Sequence, residues 1–172
     1  MREAIINETE KLKGLKLRDV TRAANLISFG LGETISITRR GQTEESPEFA
    51  LHIQCTWRLS NDSKIVVASQ DLFVPRADWP EEDEDFEWHV AGNNRFDERI
   101  TEFLKAVDGN LVIEEVQVDG LGGLKILMSN SFVLEVFPDS SDESEDWEFW
   151  RFFNRRKNSP HFVVSGKGVD YV

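Results

Sequence analysis

The chain has 172 residues, 40% of them hydrophobic and including 12 Phe and 5 Trp, which is enough for one packed domain and too apolar for disorder. Its 32 acidic and 20 basic side chains leave a net charge of −12. That balance argues against nucleic acid and anionic membrane as partners and fits a basic protein better, although acidity also serves solubility.

Cys55 is the only cysteine, which excludes an internal disulfide and a four-cysteine zinc site. Residues 1–10 lack the apolar run of a signal peptide and no later stretch has transmembrane length, so the expected location is cytoplasmic. The sequons at Asn7 and Asn61 carry little weight there.

Residues 2–13 read as a short helix with Ile5, Ile6 and Leu12 on its apolar side, closed by Gly14. Leu15 and Leu17 begin a short strand. Residues 25–31 and 34–39 look like a strand pair around Gly30 and Gly32, and Arg39-Arg40-Gly41 opens a polar loop ending at Pro47. The organising stretch is 49–59. At period two, Phe49, Leu51, Ile53, Cys55, Trp57 and Leu59 share a buried face, while His52, Gln54, Thr56 and Arg58 share a polar one. Eleven residues exceed a typical strand, so a bulge or bend is expected within it.

Residues 60–63 form a turn and 64–71 return as a strand. A long loop from 75 to 93 holds Trp79, Trp88 and the acidic run 81–85. The clearest helix spans 95–107, where Phe96, Ile100, Phe103, Leu104 and Val107 fall on one stripe, with Asn94 as N-cap and Gly109 as stop. It should lie across a sheet face. Residues 111–118 read as a strand with a bulge near Glu114-Glu115, and 124–136 as a hairpin turning at 129–131. A second acidic loop, 139–146, precedes strands at 147–153 and 161–165, which are joined by a basic turn, 154–157. The sum is one α+β domain over residues 1–172. It is mainly antiparallel sheet of about eight or nine strands, with an N-terminal helix, an amphipathic helix near 94–107, and mobile acidic loops near 76–93 and 139–146.

Catalytic signatures are missing. His52 and Cys55, three apart on a strand, point to opposite faces, which leaves Cys55 a small buried hydrophobe. The spacing of His52, His89 and His161 matches no metal motif, and no G-x-S-x-G, phosphate loop or calcium loop is present, so neither metal nor cofactor is expected. The polar face of 49–59 offers Arg58 as an anion anchor and His52 as a base, with Asp71 as orienter, unless it is simply a wetted sheet face. The aromatics of 147–153 exceed what one buried face absorbs, so Trp150 and Arg151 are either core or interface anchors. The residues expected to bind a ligand or partner are therefore His52, Gln54, Arg58, Asp71, Trp79, Trp88, Trp150, Arg151 and His161.

The strings Ala50-Leu51-His52-Ile53-Gln54-Cys55-Thr56-Trp57-Arg58, Leu134-Glu135-Val136-Phe137-Pro138-Asp139-Ser140-Ser141, and Trp150-Arg151-Phe152 followed by His161-Phe162-Val163-Val164 resemble a group of small uncharacterised bacterial proteins. The resemblance covers roughly Leu15 to Gly168 and brings no catalytic residue with it. Such proteins are similar to immunity proteins in size, acidity and fold style. The resulting expectation is a non-enzymatic protein-binding domain of immunity type, meeting a basic partner such as a toxin. The alternatives are a small-ligand binder or enzyme using the polar face of 49–59, and a structural homodimer subunit.

Overall fold

The computed structural model describes residues 1–39, 41–80, 82, 85–143, 147–156 and 159–172. The parts of the acidic runs at 81, 83–84 and 144–146, Arg40, Lys157 of the basic turn, and Asn158 lie outside them. Helix α1 (Arg2–Thr9) runs into a short 3-10 turn, followed by β1 (Leu17–Ala23), β2 (Leu26–Arg39) and β3 (Gln42–Ile53). Next come β4 (Thr56–Ser60), β5 (Ile65–Ala68), α2 (Arg95–Val107), β6 (Ile113–Val118), β7 (Leu124–Met128) and β8 (Phe132–Phe137). The chain closes with β9 (Glu148–Asn154), β10 (Phe162–Ser165) and β11 (Gly168–Tyr171).

The strands form two antiparallel sheets, β1-β2-β3-β9-β10-β11 and β5-β4-β8-β7-β6, whose inward faces share one apolar core. The fold is α+β with strand predominating, as the alternating pattern requires. Phe29 of the larger sheet meets Trp57 of the smaller edge-on at 5.7 Å, and Trp57 meets Phe96 of α2 at 6.0 Å. Helix α2 buries Phe96, Ile100, Phe103 and Val107, roughly 1.5–3 kcal/mol per side chain before entropy is charged. Asn94 caps it by accepting from the Asp97 amide at 2.9 Å. The helix does not lie flat across one sheet. It packs against the edge strands β5 and β1, closing one side of the sandwich, and Arg22 of β1 donates to Asp97 at 2.8 Å. Helix α1 packs on β6, and its Glu8 accepts from the Tyr171 hydroxyl of β11 at 3.2 Å. No helix among the described residues is long and apolar enough to cross a membrane.

Several boundaries differ from the sequence reading. Residues 49–59 are not one strand: β3 ends at Ile53 in the larger sheet and β4 starts at Thr56 in the smaller one. At the step, the Gln54 and Cys55 amides both donate to the Phe149 carbonyl, at 2.9 and 3.3 Å. Alternation survives the step, since Ile53, Cys55, Trp57 and Leu59 are all buried, so periodicity could not reveal it. Residues 25–31 and 34–39 are one long strand, not a pair. A bulge at Gly32-Glu33 lets the strand continue, and Gly32 there adopts φ +88° beside the Phe49 ring. The expected polar loop ending at Pro47 is instead the returning strand of this hairpin. Beyond Ala68 the chain turns as a 3-10 segment, Ser69–Phe73, and β11 had no counterpart in the reading.

Candidate functional site

The outward face of the larger sheet is assembled by register. Ser28, His52, Arg151 and Val163 are successive cross-strand partners, and Asp19, Gly30, Ala50 and Phe153 form the adjoining row. Gly30 is required in that row. A Cβ there would stand 2.1 Å from Asp19 Oδ1 and 2.6 Å from Pro47 Cγ. His161 stacks on the Phe153 ring at 3.9 Å and 9°, while His52 meets the same ring edge-on at 4.9 Å. Arg151 lies 3.2 Å from His161 Nδ1 and is clamped by two bonds to Glu148, with Nε to Oε1 at 2.7 Å. Arg155 folds back from the turn after β9. It donates to Ser46 Oγ at 2.8 Å and the Pro47 carbonyl at 3.3 Å, and reaches Ser28 Oγ at 3.5 Å.

These contacts set the charge states. Burial, then the positive charges of Arg155 and Arg151, push His52 down to about 4, so its imidazole is neutral at physiological pH. Burial and Arg151 lower His161 as well. For Asp19, burial outweighs Arg155 and the Gly30 amide, and its carboxyl is raised. Cys55, on the opposite face, is pushed up to about 12 by burial and by Asp139, which leaves an inert thiol.

From this face projects an arm. Residues 34–39 of β2 pair with 42–47 of β3, while β1 reaches only to Leu31 and β9 pairing begins at Phe49. Both edges of the ribbon are therefore unpaired by any strand among the described residues. Ile35 and Ile37 are half-buried on one side of it, and Glu33, Glu44 and Glu45 are exposed. The base is fastened to the sheet by the Arg155–Ser46 bond and by Glu48, which accepts from Asn154 at 3.2 Å and Arg156 at 3.1 Å.

Of the residues singled out in the sequence, His52, Arg151 and His161 come together on this face, and the others do not join them. Gln54 is exposed at the step between the sheets. Arg58 lies on the outside of the smaller sheet, paired to Glu135 at 2.6 Å and 5.4 Å above the Phe137 ring. Asp71 is a local cap, accepting from the Ala68 amide at 2.8 Å, and so does not orient His52. Trp79 packs on Phe86 at 5.7 Å and Trp88 on Phe73 at 5.2 Å, while the Trp88 carbonyl accepts from Asn94 Nδ2 at 2.8 Å, tying the long loop to the start of α2. Trp150 is not a surface anchor. It is fully buried and donates from Nε1 to the Gly122 carbonyl at 2.8 Å. A register shift between Val164 and Ser165 opposite β9 lets the adjacent Phe149 and Trp150 both turn inward, which strict alternation forbids.

Sequence reasoning missed Asp19, Ser28, Phe153 and Arg155. Arg155 had a signal, the basic turn after an aromatic strand; Asp19 and Ser28 depend on register alone. Chemically the face offers stacking and hydrogen bonding around a neutral imidazole, with the Ser28 hydroxyl on the neighbouring strand. Among the described residues, no three His, Cys, Asp or Glu side chains are grouped to hold a metal ion. Comparison with known proteins gave no matching family model, curated protein or solved structure.

Proposed function

We propose that the protein is a non-enzymatic binding domain that acts in the bacterial cytoplasm and grips a basic protein partner, in the manner of an immunity-type protein facing a toxin. The observation that carries this reading is the arm. A two-stranded ribbon with both edges unpaired is an adhesive element that proteins cover or use, and edge pairing with side-chain charge is a common mode of capture. Its exposed Glu44 and Glu45 fit a cationic surface, and the net charge of −12 would speed the encounter. The His52–Phe153–His161 cluster beside the arm supplies aromatic area.

The test is co-expression with a basic protein encoded beside its gene, followed by calorimetry. A complex is expected that weakens with salt and loses about tenfold in affinity in the Glu44→Lys, Glu45→Lys double variant. A complex indifferent to both salt and the reversal rejects the arm as the docking element, as does the absence of any complex. A concentration-dependent dimer in light scattering, abolished by the same variant, would instead assign the arm to self-association.

A further inference from the structure

The edge of the smaller sheet carries a second surface. Between β5 and α2 runs a groove of about 510 Å³, within the range of small-molecule sites. Its apolar lining comes from Ile65, Val66, Phe103, Ala106 and Phe132, with the Phe103 and Phe132 rings 5.3 Å apart. Its polar rim is cationic in a chain that is strongly anionic overall. Lys64, Arg95 and Arg99 face the opening, against Asp71 and Glu102. The two acids are already engaged: Asp71 holds the Ala68 amide and Glu102 accepts from Arg99 at 3.1 Å. Among the described residues the side chains of Lys64 and Arg95 have no ionic partner. Lys64 is presented by a fixed turn, in which Asn61 Oδ1 accepts from the Ser63 and Lys64 amides, each at 3.1 Å. Arg95 is the first residue of α2, whose first turn also carries Asp97 and Glu98; Asp97 is taken up by Arg22 and the Gly92 amide, and Glu98 accepts from the Ala77 amide at 3.4 Å.

We infer that the groove between β5 and α2 binds a small amphipathic organic anion. Its apolar body would lie on Phe103 and Phe132, and its carboxylate, sulfonate or phosphate would lie between Lys64 and Arg95. This site is separate from the arm and does not depend on the partner reading.

The probe pair is 1-anilinonaphthalene-8-sulfonate and its uncharged analogue N-phenyl-1-naphthylamine, which share the apolar body and differ in the anion. Fluorescence titration of the folded chain should show one site at which the sulfonate binds about tenfold or more tighter than the neutral compound. Lys64→Ala with Arg95→Ala should remove that preference while leaving the neutral compound's affinity in place. Ala106→Trp, a change at an exposed helix position, should fill the groove and abolish binding of both, with the circular dichroism spectrum unchanged. Equal affinities for the two compounds overturn the inference. So does sulfonate binding that survives Ala106→Trp, or that falls with rising protein concentration because a second copy occupies the groove.

Discussion

Trp147 and Trp150 sit three residues apart in an aromatic run, yet the structure gives them opposite fates. Trp147 is 51% exposed and Trp150 is 0% exposed. Replacing Trp150 with Phe removes the indole N–H and leaves the Gly122 carbonyl without its donor in a dry interior, roughly 1–3 kcal/mol. The smaller ring leaves a void that adds about 1 kcal/mol. The expected loss is therefore about 2–4 kcal/mol. With a urea slope of about 2 kcal/mol/M, the unfolding midpoint should fall by about 1–2 M at constant slope. Trp147→Phe should stay within about 0.5 kcal/mol. Far-ultraviolet circular dichroism is the appropriate signal, because each substitution removes a fluorophore. If Trp150→Phe moves the midpoint no further than Trp147→Phe does, the indole is not the buried strut described here, and an interface role for it is restored.

Two further expectations concern pH. Burial alone would raise the Asp97 carboxyl, but the hydrogen bonds from Arg22 and the Gly92 amide, with the Arg22 charge, hold it below the usual carboxylate range. A depressed carboxylate contributes stability above its unfolded value of about 4 and loses it as pH falls through the lower folded value. Urea midpoints of wild type and Asp97→Asn should therefore differ at pH 7 and converge in strong acid; parallel curves down to pH 2 would refute the pairing with Arg22. His52 behaves in the opposite sense to a salt-bridged histidine. Its folded value of about 4 lies below the unfolded one of about 6.5, so the unfolded chain takes up the proton first. Its contribution is intact above pH 6.5 and declines as pH falls toward 4. Proton NMR should show its ring resonances still neutral at pH 5.5, and a midpoint near 6.5 would contradict the packing against Arg151, Arg155 and Phe153.

What the sequence disclosed and what it hid divide along physical lines. Helix α2 was legible to the residue, because a 3.6-residue stripe, an Asn cap and a glycine stop at Gly109 are all local signals. The bulge at Glu114 was legible because alternation changes phase there. The transfer of 49–59 between sheets was not, since burial parity is the same on both sides of Gln54-Cys55. Of the arm, the outgoing half at 34–39 was legible as strand from Ile35 and Ile37, while the returning half at 42–46 has no apolar periodicity and resembles a polar loop. Within the candidate face, His52, Arg151 and His161 could be nominated by residue type. That they meet, and that Arg58 and Asp71 do not meet them, is a property of strand order, which no local pattern encodes.

The step at Gln54-Cys55 has a mechanical consequence. With two amides latched to the Phe149 carbonyl, the chain passes from one layer to the other without slack. Separating β3 from β4 therefore has to break the bonds that these two residues make to β9. Strain placed on the projecting ribbon through β3 is delivered directly into the opposite layer through β4.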